Sequence, residues 1–370
     1  MTVERLQDFT ETVFTTYSRL AVEHNAVNLG QGFPDSDGPP RMLEIAREEI
    51  AQGNNQYPPL RGQPVLIDAI SKHYDVPTNH ITVTAGATEA IAASVLGLVE
   101  PGSEVIVIEP YYDAYAAATA LAGATRVAVP LKQVGNTWDL DVPAIKGAVT
   151  DKTAMVVINS PHNPTGSVFT REALEDLASV CVDNDLLVLA DEVYEHLTFG
   201  SEHVSIQSLP GMDTRTIKVS SAAKSYACTG WKTGWAIADP KLLEGVLAAK
   251  QYLSFVSGSP FQPAVAHALT EEDNWLKDMV TELEECHDIL AEGLTKADYD
   301  IFDTNGTYYI VADVRQDADE FCRKLPETKG VAAIPLTAFT DEPEPWHTKV
   351  RFAFCKQPDV LKEAVKRLLA

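Results

Sequence analysis

A lysine, a carboxylate and a phenol stand at the ends of apolar runs in this chain, where side chains are free to meet a ligand. Lys224 lies in Ser220-Ser221-Ala222-Ala223-Lys224-Ser225-Tyr226, directly after the apolar stretch Thr216–Ser220. Small neighbours allow partial desolvation, which lowers the pKa of an amine and frees it to attack a carbonyl or aldehyde. Taken alone, a solvated loop lysine is the better reading. Asp191 and Tyr194 close Ala190-Asp191-Glu192-Val193-Tyr194. Such a carboxylate can pair with a protonated ring nitrogen, and a phenol three residues on can reach a ring oxygen. An aspartate capping a turn fits that position equally well.

Four further motifs share the same placement. Asn159-Ser160-Pro161-His162-Asn163-Pro164-Thr165-Gly166 follows a strand pattern, and two prolines and a glycine fix its path. Asn163 offers a donor and an acceptor there. His162 reads as structural rather than catalytic. Thr84-Ala85-Gly86-Ala87-Thr88 joins a strand to a helix, so backbone N–H groups of Gly86, Ala87 and Thr88 face outward at a helix start, a natural phosphate site. There is no GxGxxG and no Walker lysine, which argues against a nucleotide. Ser221 and Lys232 can add a hydroxyl and a charge to that site. Tyr112 can stack on a planar ring or fill the core. Arg351 sits in the apolar run Lys349–Phe354, and a buried guanidinium needs an anion. A substrate carboxylate and an internal salt bridge are both open.

The elements that must position these groups alternate between strand and helix. Ile81–Ala85, Glu104–Ile108, Thr125–Val129, Met155–Ile158, Leu186–Ala190, Thr216–Ser220 and Thr233–Ala238 read as strands. Thr88–Val99, Tyr112–Ala122 and Arg171–Val182 read as helices, the last after Thr170 as N-cap. Continuous apolar strands separated by helices predict an α/β fold with a mostly parallel sheet covered on both faces. Ligands bind beyond the carboxyl ends of such strands. From about Pro260 the pattern changes to a long helical stretch, Gln262–Leu294, then separated strands at Tyr308–Ala312, Ala332–Pro335 and Val350–Phe354, and a closing helix Val360–Leu369. The expected organisation is a segment 1–40 packed beside the small domain and the cleft, a large domain 41–265 and a small α+β domain 266–370.

Composition excludes several classes. The 370 residues carry a formal net charge of −24, which repels phosphate backbones and argues against nucleic acid. No apolar run approaches the roughly 20 residues of a membrane span, and the first residues lack a signal pattern. The five cysteines are scattered, without CxxC spacing, so no disulfide framework or metal site is expected, and a reducing cytoplasm is the natural setting.

The ordered motifs resemble the class I aminotransferases, fold type I enzymes that use pyridoxal 5'-phosphate. The matching segments are Asn28–Pro34, Gln56-Tyr57-Pro58, Asn159–Gly166, Asp191–Tyr194, Ser221–Lys232 and Arg351, so the likeness spans nearly the whole chain. It implies a seven-stranded, mostly parallel sheet between helices plus a smaller α+β domain. It implies that Lys224 carries the cofactor as a Schiff base and moves the proton, that Asp191 keeps the pyridine nitrogen protonated, and that Tyr194 and Asn163 bond the ring oxygen. Tyr112 would stack on the ring. Ala87, Thr88, Ser221 and Lys232 would hold the phosphate, with Tyr57 from a neighbouring subunit of a homodimer. Arg351 would take the substrate α-carboxylate, with Asn163 and the Gly32 backbone nearby.

Two departures refine the resemblance. Lys232 stands where most of the family has arginine, as it does in the kynurenine aminotransferase and glutamine transaminase group. The runs Ala87–Ala93 and Ser160–Gly166 are also similar to actinobacterial proteins described as N-succinyldiaminopimelate aminotransferases. Phe14 stands where the kynurenine enzymes tend to have tryptophan beside the substrate. The expected substrates are an amino acid and a 2-oxo acid, with N-succinyldiaminopimelate, kynurenine, glutamine or methionine as donor. A succinylated donor would want a second cation, for which Arg61 is a candidate. A cysteine-conjugate β-lyase would use the same residues, and a sensor on this fold without enzymatic activity is a more distant alternative.

Overall fold

The computed structural model describes residues 2–9 and 11–370; Met1 and Thr10, both in the N-terminal segment, lie outside the described residues. Seven strands form the central sheet: β1 (Ile81–Ala85), β2 (Glu104–Glu109), β3 (Thr125–Pro130), β4 (Thr153–Asn159), β5 (Leu187–Asp191), β6 (Thr216–Ser221) and β7 (Thr233–Ile237). Their order across the sheet is β1-β7-β6-β5-β4-β2-β3. Six strands run parallel, and β7 is antiparallel to both its neighbours. The period-2 geometry of a strand sends successive residues to opposite faces. Val105, Val107, Met155, Val157 and Leu189 therefore enter one core, while Ile106, Ile108, Val156, Ile158, Val188 and Ala190 enter another. Both faces are buried, which is why these strands are apolar throughout.

Helices cover the sheet, and their starts carry the expected chemistry. Thr170 caps Arg171–Asp183 by accepting a bond from the Ala173 N–H at 3.2 Å. The helices Pro40–Gln52, Pro64–Tyr74 and Pro240–Lys250 each begin with proline, whose missing N–H is no loss there.

A second sheet has four strands: β8 (Asp300–Ile301), β9 (Tyr309–Asp313), β10 (Ile334–Pro335) and β11 (Lys349–Ala353), in the order β8-β9-β11-β10. Its core is shared with the helices Asp273–Lys296, Ala318–Lys329 and Pro358–Leu369. The single helical stretch expected over Gln262–Leu294 is two helices, Phe261–Glu271 and Asp273–Lys296. The break reflects a change of partner. Ala264, Val265 and Leu269 pack with Met42, Leu66 and Trp235, whereas Met279, Leu283 and Leu290 join the core of the small sheet. We propose the division between the larger and smaller units on this basis, with the break at Glu272. The N-terminal segment joins the small sheet's core: Val27–Asn28 pairs in parallel with Val331–Ala332, and the Phe14 ring lies 6.0 Å from that of Phe339.

The helix Ala87–Leu98 crosses Pro240–Lys250 at a point where only glycine fits. A Cβ on Gly97 would lie 2.1 Å from the Gly245 carbonyl oxygen. Gly97→Ala is expected to force the two helices apart and lower stability by about 1–3 kcal/mol, read as a lower urea midpoint with an unchanged slope.

Candidate active site

The polar motifs meet at one edge of the large sheet because of how the strands run. β1, β2, β4, β5 and β6 deliver Gly86, Tyr112, Asn163, Asp191 and Ser221 at or beyond their carboxyl ends. β7 runs the other way, so its start lies at that same edge: Thr233 is opposite Ala85, and Gly234 is opposite both Thr84 and Ser221. This brings Lys232 beside the turn at Gly86. The edge opens into a cavity of about 300 Å³, a size ordinary for a small-molecule site. Phe14, Gly32, Gly86, Ala87, Thr88, Tyr112, Asn163, Asp191, Tyr194, Ser221, Lys224 and Lys232 all line it. Arg351 lies behind this lining, joined to it through Asn163. Tyr57 is elsewhere, 88% exposed, with its ring 5.6 Å from that of Phe255.

Lys224 and Asp191 share the cavity with opposite needs. Burial pushes the Lys224 amine down to about 8; Arg351 and Lys232 act in the same direction, and Asp191 acts against it. Its Nζ is 3.4 Å from the Gly32 carbonyl oxygen and lies over the rings of Tyr194 and Tyr308 at 5.6 and 5.7 Å. Burial raises Asp191 to about 6, and two donors and the charge of Lys224 resist that rise. The donors are the Tyr115 hydroxyl, 2.6 Å from Oδ2, and the Val193 N–H, 3.3 Å from Oδ1. Near neutral pH the carboxylate is therefore largely ionised, while about a tenth of the amine is neutral, far more than for an ordinary lysine.

The turn at Gly86 lies at a helix start with the Lys232 amine beside it. Gly86 has φ +77°, and a Cβ there would sit 3.1 Å from Lys232 Nζ. A Cβ on Gly234 would lie 2.7 Å from the Gly86 carbonyl carbon and 2.8 Å from Ala87 N, so the turn rests directly on the β7 backbone. Glycine at both positions leaves room for the turn beneath the N-terminus of Ala87–Leu98. Burial raises the Tyr112 phenol to about 12, keeping it neutral.

At the other end, Arg351 is fully buried and has no carboxylate within 4 Å among the described residues. Nη1 donates to Asn163 Oδ1 at 2.9 Å and Nη2 to the Gly30 carbonyl at 2.6 Å, while Nε has no partner. The rings of Tyr309, Phe339 and Phe14 surround the guanidinium at 4.1, 5.1 and 5.5 Å. The expected alternative, an internal salt bridge, is not what the structure holds. Lys218 shows what such pairing looks like: its Nζ is 2.9 Å from both Glu192 and Glu195, and His203 Nε2 is 2.9 Å from Glu192. That buried cation is paired directly with two carboxylates; Arg351 has no such direct pair, and Asp113 feels its charge only from beyond 4 Å.

Several residues at the site carry no signal of their own in the sequence. Tyr115, on the first turns of Asp113–Leu121, supports Asp191. Asn159 donates to the Asp191 carbonyl at 2.8 Å and accepts the Asn163 N–H at 2.7 Å, tying two strand ends together. Tyr308 donates to the Gly32 carbonyl at 2.6 Å, and Tyr309 shares a 3.2 Å contact with the Tyr194 hydroxyl. A tyrosine three residues after Tyr112 was the one available clue to Tyr115. His162 bonds Thr165 at 2.7 Å, and burial lowers it to about 3, so it stays neutral. Arg61 donates to the Asn79 carbonyl and does not line the cavity; the second cation expected from it is absent from this site.

Comparisons with known proteins agree with the geometry. The family model for class I and II aminotransferases matches residues 24–368. A probable N-succinyldiaminopimelate aminotransferase of Mycobacterium tuberculosis is 50% identical, over all of this chain and 98% of its own length. The methionine aminotransferase of Escherichia coli is 35% identical over 98% of this chain and 97% of its own. The solved structure of the N-succinyldiaminopimelate aminotransferase from M. tuberculosis superposes with a TM-score of 0.98 at 51% identity, covering both chains fully. The chain therefore belongs to the class I and II aminotransferases, fold type I enzymes that transfer amino groups and that as a family depend on pyridoxal phosphate.

Proposed function

We propose that this chain holds pyridoxal 5'-phosphate in the cavity and moves an amino group from an L-amino acid to a 2-oxo acid in two successive half-reactions. The observation that carries the reading is the buried Lys224 amine, lowered to about 8, in one cavity with the ionised Asp191. The residues present fit the cofactor. The glycine turn and Lys232 suit its phosphate, Asp191 its ring nitrogen, Tyr194 and Asn163 its ring oxygen, and the face of Tyr112 its ring. Ala87, Thr88 and Ser221 complete the phosphate site. When bound, the cofactor supplies a carbonyl carbon for the amino nitrogen and a conjugated ring that accepts an electron pair.

The protein supplies the rest. Lys224 Nζ would take the substrate α-proton as general base and hold it for return as general acid. A pKa near the working pH suits both tasks. Asp191, held by Tyr115 and Val193, keeps the ring nitrogen protonated. Arg351 and Asn163 fix the substrate carboxylate, with Gly32 and Phe14 beside it; the bare Nε of Arg351 and the lack of a carboxylate within 4 Å among the described residues are the support for that role. We place the enzyme in a homodimer in which Tyr57 reaches the neighbouring site, in keeping with its exposure on one chain. Five free, buried thiols suit a reducing cytoplasm. Among the described residues no helix is long and apolar enough to cross a membrane. The donor we propose first is N-succinyldiaminopimelate, on the strength of the relative that is 50% identical over the whole chain.

Three outcomes are expected. Purified protein should show an absorbance band from the Schiff base that Lys224→Ala abolishes; a variant that keeps the band sinks the assignment of Lys224. Because only the neutral amine attacks, the rate of cofactor capture by the apoprotein should climb with pH and level off near 8, not near the ordinary 10.5 of lysine. Stopped-flow absorbance across that range reads the break directly. Arg351→Lys keeps the charge but loses the two-pronged contact, and KM for the amino donor should rise about 10- to 100-fold with a smaller change in kcat. A donor screen with N-succinyldiaminopimelate, methionine, glutamine and kynurenine settles specificity, and pyruvate released without an acceptor would mark a β-lyase instead.

A further inference from the structure

The proposed phosphate turn leaves one nearby group unexplained. Glu89 lies in the first turn of the helix Ala87–Leu98 and is buried. A carboxylate suits a helix start in general. Beside a turn that binds a phosphate dianion, a second negative charge is unfavourable. Its contacts account for its presence. Oε2 accepts the Ala85 N–H at 2.6 Å. Oε1 accepts both the N–H of Ser254, at 3.2 Å, and the Ser254 hydroxyl. Ala85 ends β1 and leads into Gly86, whose carbonyl accepts the Thr84 hydroxyl at 2.9 Å.

The loop that carries Ser254 is itself pinned by a buried cation. Lys250 is fully buried, and its Nζ donates to the carbonyls of Leu60, at 2.5 Å, and Phe255. Burial lowers it to about 8, and the field of Glu89 opposes that shift. The two buried groups thus bond the surrounding backbone and the Ser254 hydroxyl rather than each other. Together they tie the end of β1, the loop around Leu60 and the loop around Ser254 into one rigid base under the turn.

We propose that Glu89 is a positioning residue for the phosphate-binding turn, fixing Ala85 on one side and Ser254 on the other, with Lys250 holding the Ser254 loop where Glu89 can reach it. This deepens the cofactor reading and rests on it. A carboxylate offers acceptors on both sides. A glutamine offers one acceptor oxygen and one NH2 group, so Glu89→Gln leaves the backbone N–H of either Ala85 or Ser254 facing a donor. The substitution also removes a negative charge near the phosphate, which by charge alone would tighten phosphate binding. Geometry and charge therefore predict opposite signs.

The test is equilibrium binding of pyridoxal phosphate and of pyridoxal, which lacks the phosphate, to the apoprotein by absorbance. For Glu89→Gln we expect the Kd for pyridoxal phosphate to rise about tenfold while that for pyridoxal changes less than about twofold. Ser254→Ala keeps the charge and the Ala85 bond, and it should weaken pyridoxal phosphate in the same direction by about threefold; it carries the test if the first variant does not fold. Unchanged or tighter binding of pyridoxal phosphate, or equal weakening of both compounds, overturns the proposal. Failure of the wild-type protein to bind pyridoxal phosphate through Lys224 would instead overturn the cofactor reading itself.

Discussion

An amine that must lose its proton and a carboxylate that must keep its charge share one poorly solvated cavity, and most of the architecture serves that constraint. Desolvation favours neutral forms of both groups. It helps Lys224, lowering it to about 8, and it hurts Asp191, raising it to about 6. The difference in treatment comes from neighbours. Asp191 receives a phenol and a backbone N–H, whereas Lys224 faces one distant carbonyl and the like charges of Arg351 and Lys232. A pair of groups whose surroundings drive them to complementary states is how one site runs acid and base steps at one pH.

Sheet topology makes this arrangement possible. Five parallel strands aim their carboxyl ends at the cavity, and one reversed strand sends its beginning to the same place, which is how Lys232 and Gly86 become neighbours. The second sheet contributes what the first lacks. β11 brings Arg351 to Asn163 across the boundary, and the N-terminal segment is held between them. Arg351 takes the Gly30 carbonyl, Tyr308 that of Gly32, and Lys356 that of Phe33 together with the Asp35 carboxylate. A Cβ on Gly32 would come within 1.8 Å of the Tyr309 hydroxyl, so the segment can lie this close only as glycine.

Much of this was legible in the sequence because the large sheet is buried on both faces. Its strands are unbroken apolar runs, and the polar residues that end them stand out: Gly86, Asn163, Asp191 and Ser221 were visible for that reason. The helices over 13–74 were not; two of them begin at Pro40 and Pro64, and a proline marks a helix start and a turn alike. Tyr115 and Tyr308 were hidden differently. A tyrosine in a helix or a strand has the same appearance whether it fills a core or donates to a carboxylate, and only the fold shows which hydroxyl meets an acceptor. Arg351 was ambiguous until its surroundings could be counted, because a salt bridge and a ligand site look alike from a single strand.

The inventory of cations bears on the donor. Among the described residues the cavity and its backing hold Lys224, Lys232, Arg351 and Lys356, the last already paired with Asp35, and the proposed mechanism occupies the first three with a cofactor carbon, a phosphate and an α-carboxylate. The rest of the lining includes Gln31, Phe33, Ile91 and Tyr309, the last directly against Gly32; these side chains can pack against a chain or bond an amide but cannot neutralise a charge. A distal carboxylate held there by one chain alone would lose its hydration without gaining a counter-ion, a loss that a hydrogen bond from Gln31 does not offset. A donor with a charged far end therefore requires a cation from a second subunit, while methionine or glutamine requires none. The proposed donor and the proposed dimer are thus one hypothesis: if N-succinyldiaminopimelate is the substrate, the complete site includes a second copy of the chain.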